Sequence, residues 1–340
     1  MSAATTARQP APLVPPAGGA LRLTSLLQLL RDNGVYVALA LLVLYNVIAT
    51  PNFVSYTTST ILMKQTAAVL IVSLGMLLVI GTGGIDLSVG ATMAISAAVL
   101  GRTIGHSGAH IVSGVLLAVG AGVLVGLFNG IVVGVVGVPP IVATLSLLVA
   151  GRGLALYLTG GQLVELFSKD LHQIGIGFLP VGGGGQLPYV FLIALGLTLL
   201  VAVLIRSTTL GFRITAIGGN GRAAALAGLP VRRTLVSVYV ICGVLAAIAG
   251  VLATARLRSA DPSYLGLNIE LQAITAVVVG GTALRGGRMR LIGAVAGVLL
   301  MQMLTTTLTS HNIPASQTQM IIAVIIVLAV YLQRSTRTAS

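Results

Sequence analysis

Five polar or ionisable side chains stand inside or at the ends of otherwise apolar stretches: Asp86, Asn129, Thr144, Arg152 and Glu270. Together they offer hydrogen bonds and an ion pair. That is the chemistry of holding a neutral polar solute, or of holding helices to one another. It is not covalent catalysis. No Gly-x-x-x-x-Gly-Lys-Ser/Thr phosphate loop occurs, because neither Lys64 nor Lys169 has the flanking glycines. There is no His-Glu-x-x-His pattern, no Cys/His cluster with metal-ligand spacing, and no Gly-x-Ser-x-Gly nucleophile elbow. The one cysteine, Cys242, makes no internal disulfide and reads as a small packing residue. His106, His110, His172 and His311 fall between apolar segments and read as solvated.

Each of these residues has a structural reading beside a functional one. Asp86 either caps the helix that starts near Leu87 or lines a solute path. Asn129 sits with Gly126 and Gly130 at helical spacing, which suits a hydrogen bond between closely packed helices as well as solute contact. Thr144 either bonds its own backbone one turn back or faces the path. Arg152 lies within an apolar segment, where a charge costs about 2.5–3.5 kcal/mol on insertion scales. It therefore needs a reason to be there: it snorkels to the outer face, pairs with Glu270 or a backbone carbonyl, or touches solute hydroxyls.

The elements that position these groups follow from composition. Of 340 residues, 56% are hydrophobic and 7% charged. A soluble domain carries about 25% charged residues, so a water-facing surface is excluded here. The net charge of +13 would suggest nucleic acid in a soluble protein, but the apolar content removes that reading. The class is an all-α polytopic membrane protein with about ten transmembrane segments, some of them short or broken. With no Trp and 4% aromatics, a tight sugar site built on ring stacking is disfavoured inside this chain.

The apolar segments run over Val35–Ala49, Thr60–Ile80, Val89–Leu100, Ile111–Val136, Ile141–Leu158, Tyr189–Ile205, Leu235–Ala255, Leu271–Leu284, Leu291–Leu308 and Gln319–Leu332. The third and eighth are too short to span alone, and both adjoin a Gly-Gly pair, Gly83-Gly84 and Gly280-Gly281. Leu77–Leu100 and Ala273–Met303 share this outline, and would form a parallel repeat. Residues 1–32 and 334–340 read as cytoplasmic tails around a permease domain over 33–333. With the amino terminus inside, Arg206, Arg213, Arg222, Arg232, Arg233, Arg285, Arg288 and Arg290 also fall inside. Lys64, Arg102, Lys169, Arg256 and Arg258 fall outside, which obeys the positive-inside rule. The inside loop, about 206–234, predicts a surface helix between Gly221 and Gly228. The outer loop Thr159–Pro188 faces the side where an extracytoplasmic partner would dock. Embedded acids are scarce, which disfavours an ion-coupled carrier.

Several blocks resemble one family. Gly83-Gly84-Ile85-Asp86-Leu87-Ser88-Val89-Gly90 resembles the signature of the ribose/xylose/galactofuranose class of ABC sugar-importer permeases. Phe128-Asn129-Gly130, then Pro139-Pro140-Ile141-Val142-Ala143-Thr144-Leu145, then Glu270-Leu271-Gln272-Ala273-Ile274 with Gly280-Gly281-Thr282 are similar to further blocks in the same order. Val149–Gly153 and Thr159–Gln162 are most similar to galactofuranose-type members, whereas Arg288-Met289-Arg290 departs from the glycine-rich tripeptide of ribose-type members.

The resemblance covers about residues 35–332 and implies the following. The chain is a bacterial plasma (inner) membrane permease with both termini cytoplasmic, moving a monosaccharide by alternating access. It carries no cofactor, and ATP with Mg sits on partner ATPase subunits. Its other partners are an extracytoplasmic sugar-binding protein, a second permease subunit (identical or a close homologue) and membrane lipid, not nucleic acid. Asp86, Asn129, Thr144, Arg152, Glu270 and Gln272 mark the substrate pathway. Asn220, Ala223, Ala224, Ala227, Gly228, Leu229 and Pro230 form the segment that couples to the ATPase. Arg256 and Arg258 either anchor at outer headgroups or dock the binding protein. The alternatives are a permease for nucleosides or branched-chain amino acids, and an ion-coupled secondary carrier.

Overall fold

The structure is a computed structural model that describes residues 33–334, apart from 107, 109, 183 and 184. The tail expected over 1–32 lies outside the described residues. So do 335–340 of the carboxyl tail, while Arg334 closes the last helix.

Every expected apolar segment contains a helix, although in the eighth it stops at Val279. The helices are α1 (Gly34–Ala49), α2 (Tyr56–Gly81), α3 (Val89–Leu100), α4 (Ile111–Ile131), α5 (Pro140–Thr159), α6 (Lys169–Ile176), α7 (Tyr189–Ser207), α8 (Thr209–Gly219), α9 (Gly221–Leu226), α10 (Val231–Leu257), α11 (Ile269–Val279), α12 (Leu291–Ser310) and α13 (Ala315–Arg334). By length and composition, 6 of the described helices can cross a membrane: α2, α4 with its π-helical end, α5, α7, α10 and α12. The four others among the expected spans, α1, α3, α11 and α13, do not reach that measure over the described residues.

Local chemistry sets the ends. Ser55 caps α2 by accepting the Thr58 backbone N–H at 3.1 Å. The end of α4 loosens into a π-helical turn, Val132–Val136, and Gly137 takes a left-handed conformation. Pro139 and Pro140 then start α5, where a missing N–H costs nothing. The long loop over 206–234 holds two helices, α8 and α9, where the sequence predicted one.

At the centre stand α2 and α10, 72% and 61% buried over their most apolar windows, against 22% for α4 and α5 and 17% for α7. α10 meets α4 through small residues. A Cβ on Gly126 would stand 2.5 Å from the Tyr239 carbonyl oxygen and 2.8 Å from the Val240 Cα, so only glycine lets the two backbones touch here. Gly126→Leu should therefore destabilise the protein by about 1–3 kcal/mol, the usual cost of overpacking. A melting curve in detergent checks this, and an unchanged midpoint would refute the close approach.

The Gly83-Gly84 block lies against a further pair, Gly286-Gly287, and not against Gly280-Gly281. Gly287 N–H donates to the Gly81 carbonyl at 3.0 Å, and a Cβ on Gly286 would stand 2.5 Å from Gly83 N. On the other side, β1 (Val164–Glu165) pairs antiparallel with β4 (Ser259–Ala260), and β2 (Phe178–Val181) with β3 (Gly185–Pro188). These strands and α6 give the outer loop a fixed shape.

Candidate functional site

The two short helices begin at one place. A Cβ on Gly266, which has φ +70°, would stand 2.6 Å from the Gly90 carbonyl oxygen, so the start of α3 touches the turn that leads into α11. From there α3 runs to β4, where Gly101 meets Ala260, and α11 runs toward Gly280 and Gly293. At about 1.5 Å per residue, their 12 and 11 residues each cover roughly half of a ~30 Å hydrocarbon layer. Asp86 lies against Cys242, close to the middle of the 27-residue α10. The junction therefore stands near mid-depth of the bundle. Two helix amino termini bring partial positive charge to this point.

Polar side chains converge on the junction. Asp86 Oδ1 accepts the Ser88 backbone N–H at 2.9 Å and the Ser88 hydroxyl at 2.6 Å. Asp86 is therefore not the helix cap that the sequence predicted. Ser88 occupies the cap position and makes no side-chain cap bond, while Asp86 closes a turn two residues before the helix. Asn129 Nδ2 donates to the Ser88 hydroxyl at 2.8 Å, which is the interhelical bond expected of it. Its Oδ1 has no partner. Thr144 donates to the Pro140 carbonyl one turn back at 2.9 Å and to the Ile85 carbonyl at 3.2 Å. Asp86, Asn129 and Thr144 are all buried, so in this conformation they hold the backbone before α3 and present no surface to a solute.

Arg152, half-buried on α5, donates to the carbonyls of Leu265 at 2.7 Å and Pro262 at 3.2 Å. It thereby pins the turn before α11. Glu270 is buried, and its Oε2 has no hydrogen-bond partner. Arg152 and Glu270 both flank Gly90: a Cβ there would stand 2.6 Å from Glu270 Oε2 and 3.4 Å from Arg152 Nη2. The pair is electrostatic rather than a direct bond, and the guanidinium spends its donors on carbonyls. Gln272 is exposed on α11.

Three members of this neighbourhood carried no distinct signal in the sequence. Ser88 links Asp86 to Asn129, Gly90 admits the α11 turn, and the fully buried Tyr239 hydroxyl points at Gly84 without a partner. Ser88 and Gly90 lie inside the Gly83–Gly90 block, so the motif held them without ranking them. Tyr239 is one aromatic residue within an apolar run.

In the 206–234 loop, α9 is the expected short helix. Asn220 caps it by accepting the Ala223 N–H at 3.0 Å. Gly228, with φ +79°, and the Leu229 N–H bond to the Ala224 carbonyl at 3.0 Å end it. Ala223, Ala227 and Gly228 are exposed and Leu229 and Pro230 half-buried, but Ala224 points inward at 5% exposure. Leu226 is 91% exposed and forms an apolar knob that the sequence reading did not single out.

At the end of α10, Arg256 donates to the Lys64 carbonyl at 3.4 Å and is partly covered, so it ties α10 to α2. Arg258 is exposed. Among the described residues no group of three His, Cys, Asp or Glu side chains is placed to hold a metal ion.

Comparison with known proteins gives a consistent picture. A family model described as "Branched-chain amino acid transport system / permease component" matches residues 58–330. The galactofuranose transporter permease protein of Escherichia coli (strain K12) is 42% identical over 273 residues, covering 80% of this chain and 78% of that protein. The fructose import permease protein of Bifidobacterium longum (strain NCC 2705) is 35% identical over 80% of this chain and 76% of its own. The ribose import permease protein of Bacillus subtilis (strain 168) is 35% identical over 90% of this chain and 93% of its own. No solved structure matches the chain.

Proposed function

The chain belongs to the branched-chain amino acid transport system / permease component family, and from that premise we propose that it is the membrane-spanning permease subunit of a bacterial ABC importer for a monosaccharide. ATP, with its magnesium, is bound and hydrolysed by partner ATPase subunits. An extracytoplasmic binding protein delivers the sugar, and a second permease subunit completes the path. Both termini lie in the cytoplasm, in keeping with the inside placement of Arg206 to Arg233 and Arg285 to Arg290.

The observation that carries this reading is the pairing of two features. Three sugar-import permeases match four fifths or more of the chain. In addition, the capped helix α9 presents Leu226 between the small residues Ala223 and Ala227, a shape that enters a partner's groove. Asp86, Ser88, Asn129 and Thr144 act as positioning residues that fix the start of α3, and Arg152 fixes the turn before α11. Alternating access then moves these two half-length helices relative to each other. Arg258 is the outer residue offered to the binding protein.

The test is uptake of labelled galactose, fructose, ribose and leucine in a permease-deletion strain, with and without the cognate ATPase. The expected result is uptake of a sugar only when the ATPase is present. Leucine uptake alone, or sugar uptake without the ATPase, would refute the reading.

A further inference from the structure

The turn before α11 and its first two turns expose a stripe consisting of Tyr264, Leu267, Asn268, Leu271 and Gln272. Leu271 and Gln272 are exposed on the first turn of the helix, and Tyr264, Leu267 and Asn268 are exposed on the partly left-handed turn that leads into it. Two of them are amides. Asn268 sits at the helix start with φ +60° and makes no side-chain cap bond, and Gln272 follows one turn later. Neither amide group has a hydrogen-bond partner among the described residues. Buried Glu270 lies between them in sequence, on the opposite side of the helix, against Gly90.

This stripe begins at the α3–α11 junction, which stands level with the middle of α10. Each amide carries a carbonyl acceptor and two N–H donors. An amide in hydrocarbon, with no partner, costs several kcal/mol by water-to-alkane transfer. The face must therefore meet water or other polar groups. Irregular backbone and helix starts at mid-depth are tolerated only beside protein or a water-filled cavity. None of the five exposed side chains is charged, and the Glu270 carboxylate is buried on the other side of the helix.

We propose that Asn268 and Gln272 are the contact residues for the permeating sugar, lining a water-filled path along the exposed face of α11. The ligand class is a neutral polyol. A sugar hydroxyl both donates and accepts, and it matches an amide that does the same. Tyr264, Leu267 and Leu271 give the path apolar walls, and few hydrogen bonds suit a site that must release its cargo. This inference rests on the proposed function for the identity of the cargo, and on the geometry alone for the path.

The first experiment does not depend on any sugar. Cys242 is the one cysteine and is buried, so it is silent to a charged thiol reagent. Asn268→Cys and Gln272→Cys, and Leu199→Cys on peripheral α7 as a lipid-facing control, are treated with a membrane-impermeant methanethiosulfonate in the assembled complex. Labelling at 268 and 272 but not at 199 is expected. No labelling at either position would overturn the path, and so would disulfide cross-linking between two copies at 272 without labelling, since the stripe would then be an interface between subunits. The second experiment is sugar uptake by Asn268→Leu and Gln272→Leu. An uptake loss of about tenfold is expected, at unchanged membrane abundance and with Gln272→Asn retaining part of the transport. Wild-type uptake by both Leu variants would overturn the contact role. If the wild type takes up no sugar while 268 and 272 label, the proposed function fails and the path stands.

Discussion

Leu226→Glu leaves the permease at wild-type abundance in the membrane and removes sugar uptake. Leu226 is 91% exposed, so a charge there disturbs no internal packing. At a partner surface the same change buries a charge in place of an apolar knob. Central interface residues of this kind cost about 2 kcal/mol or more when lost, which is roughly a thirtyfold weakening. Uptake should fall by about that factor, while binding of the extracytoplasmic protein is retained. ATPase activity of the assembled complex, with and without loaded binding protein, is the second readout, and its stimulation should disappear. Wild-type uptake in this variant would remove α9 from the coupling interface. Ala224→Glu is the poorer probe. Ala224 is 5% exposed, so a glutamate there would unseat the helix itself and confuse coupling with folding.

Arg152→Met should be the most destabilising single change at the junction. It leaves the Leu265 and Pro262 carbonyls without their donor and Glu270 without its neighbouring positive charge. A hydrogen bond to a charged group contributes about 1.5–3 kcal/mol, and breaking a buried pair from one side costs about 3–5 kcal/mol. Arg152 is partly exposed, so a loss near 3 kcal/mol is expected. The melting point of the purified complex measures it. The double variant Arg152→Met/Glu270→Gln should recover part of the loss, because the uncompensated carboxylate is gone. Arg152→Lys should fall between, since it keeps the charge but its shorter side chain does not carry a donor to the place where Nη1 meets both carbonyls. A double variant no more stable than Arg152→Met would show that Glu270 and Arg152 are not coupled.

Both predictions depend on facts that the sequence held unevenly. The apolar segments were legible because their length and composition leave a chain in lipid no choice but helix. The break at the third and eighth segments was legible from their shortness and their Gly-Gly neighbours. α9 was legible from its glycine-bounded run of helix formers. The reach of individual side chains was not. Arg152 finds carbonyls more than a hundred residues away, and Asn129 finds Ser88 across two helices. Asp86 offered a cap by local rules, yet the helix began two residues later and the carboxylate closed a turn instead.

The sequence by itself determined a helical membrane protein in which no phosphate-loop motif occurs, with most of its positive charge in connections read as cytoplasmic. It also marked the blocks that matter. The tertiary structure decided which side of each helix faces in. α2 and α4 have mean hydropathies of 1.9 and 2.5, yet their windows are 72% and 22% buried. A helix that is apolar all round gives no stripe by which to orient it. Only tertiary packing turned Ala224 and Asp86 inward and left Leu226, Asn268 and Gln272 exposed.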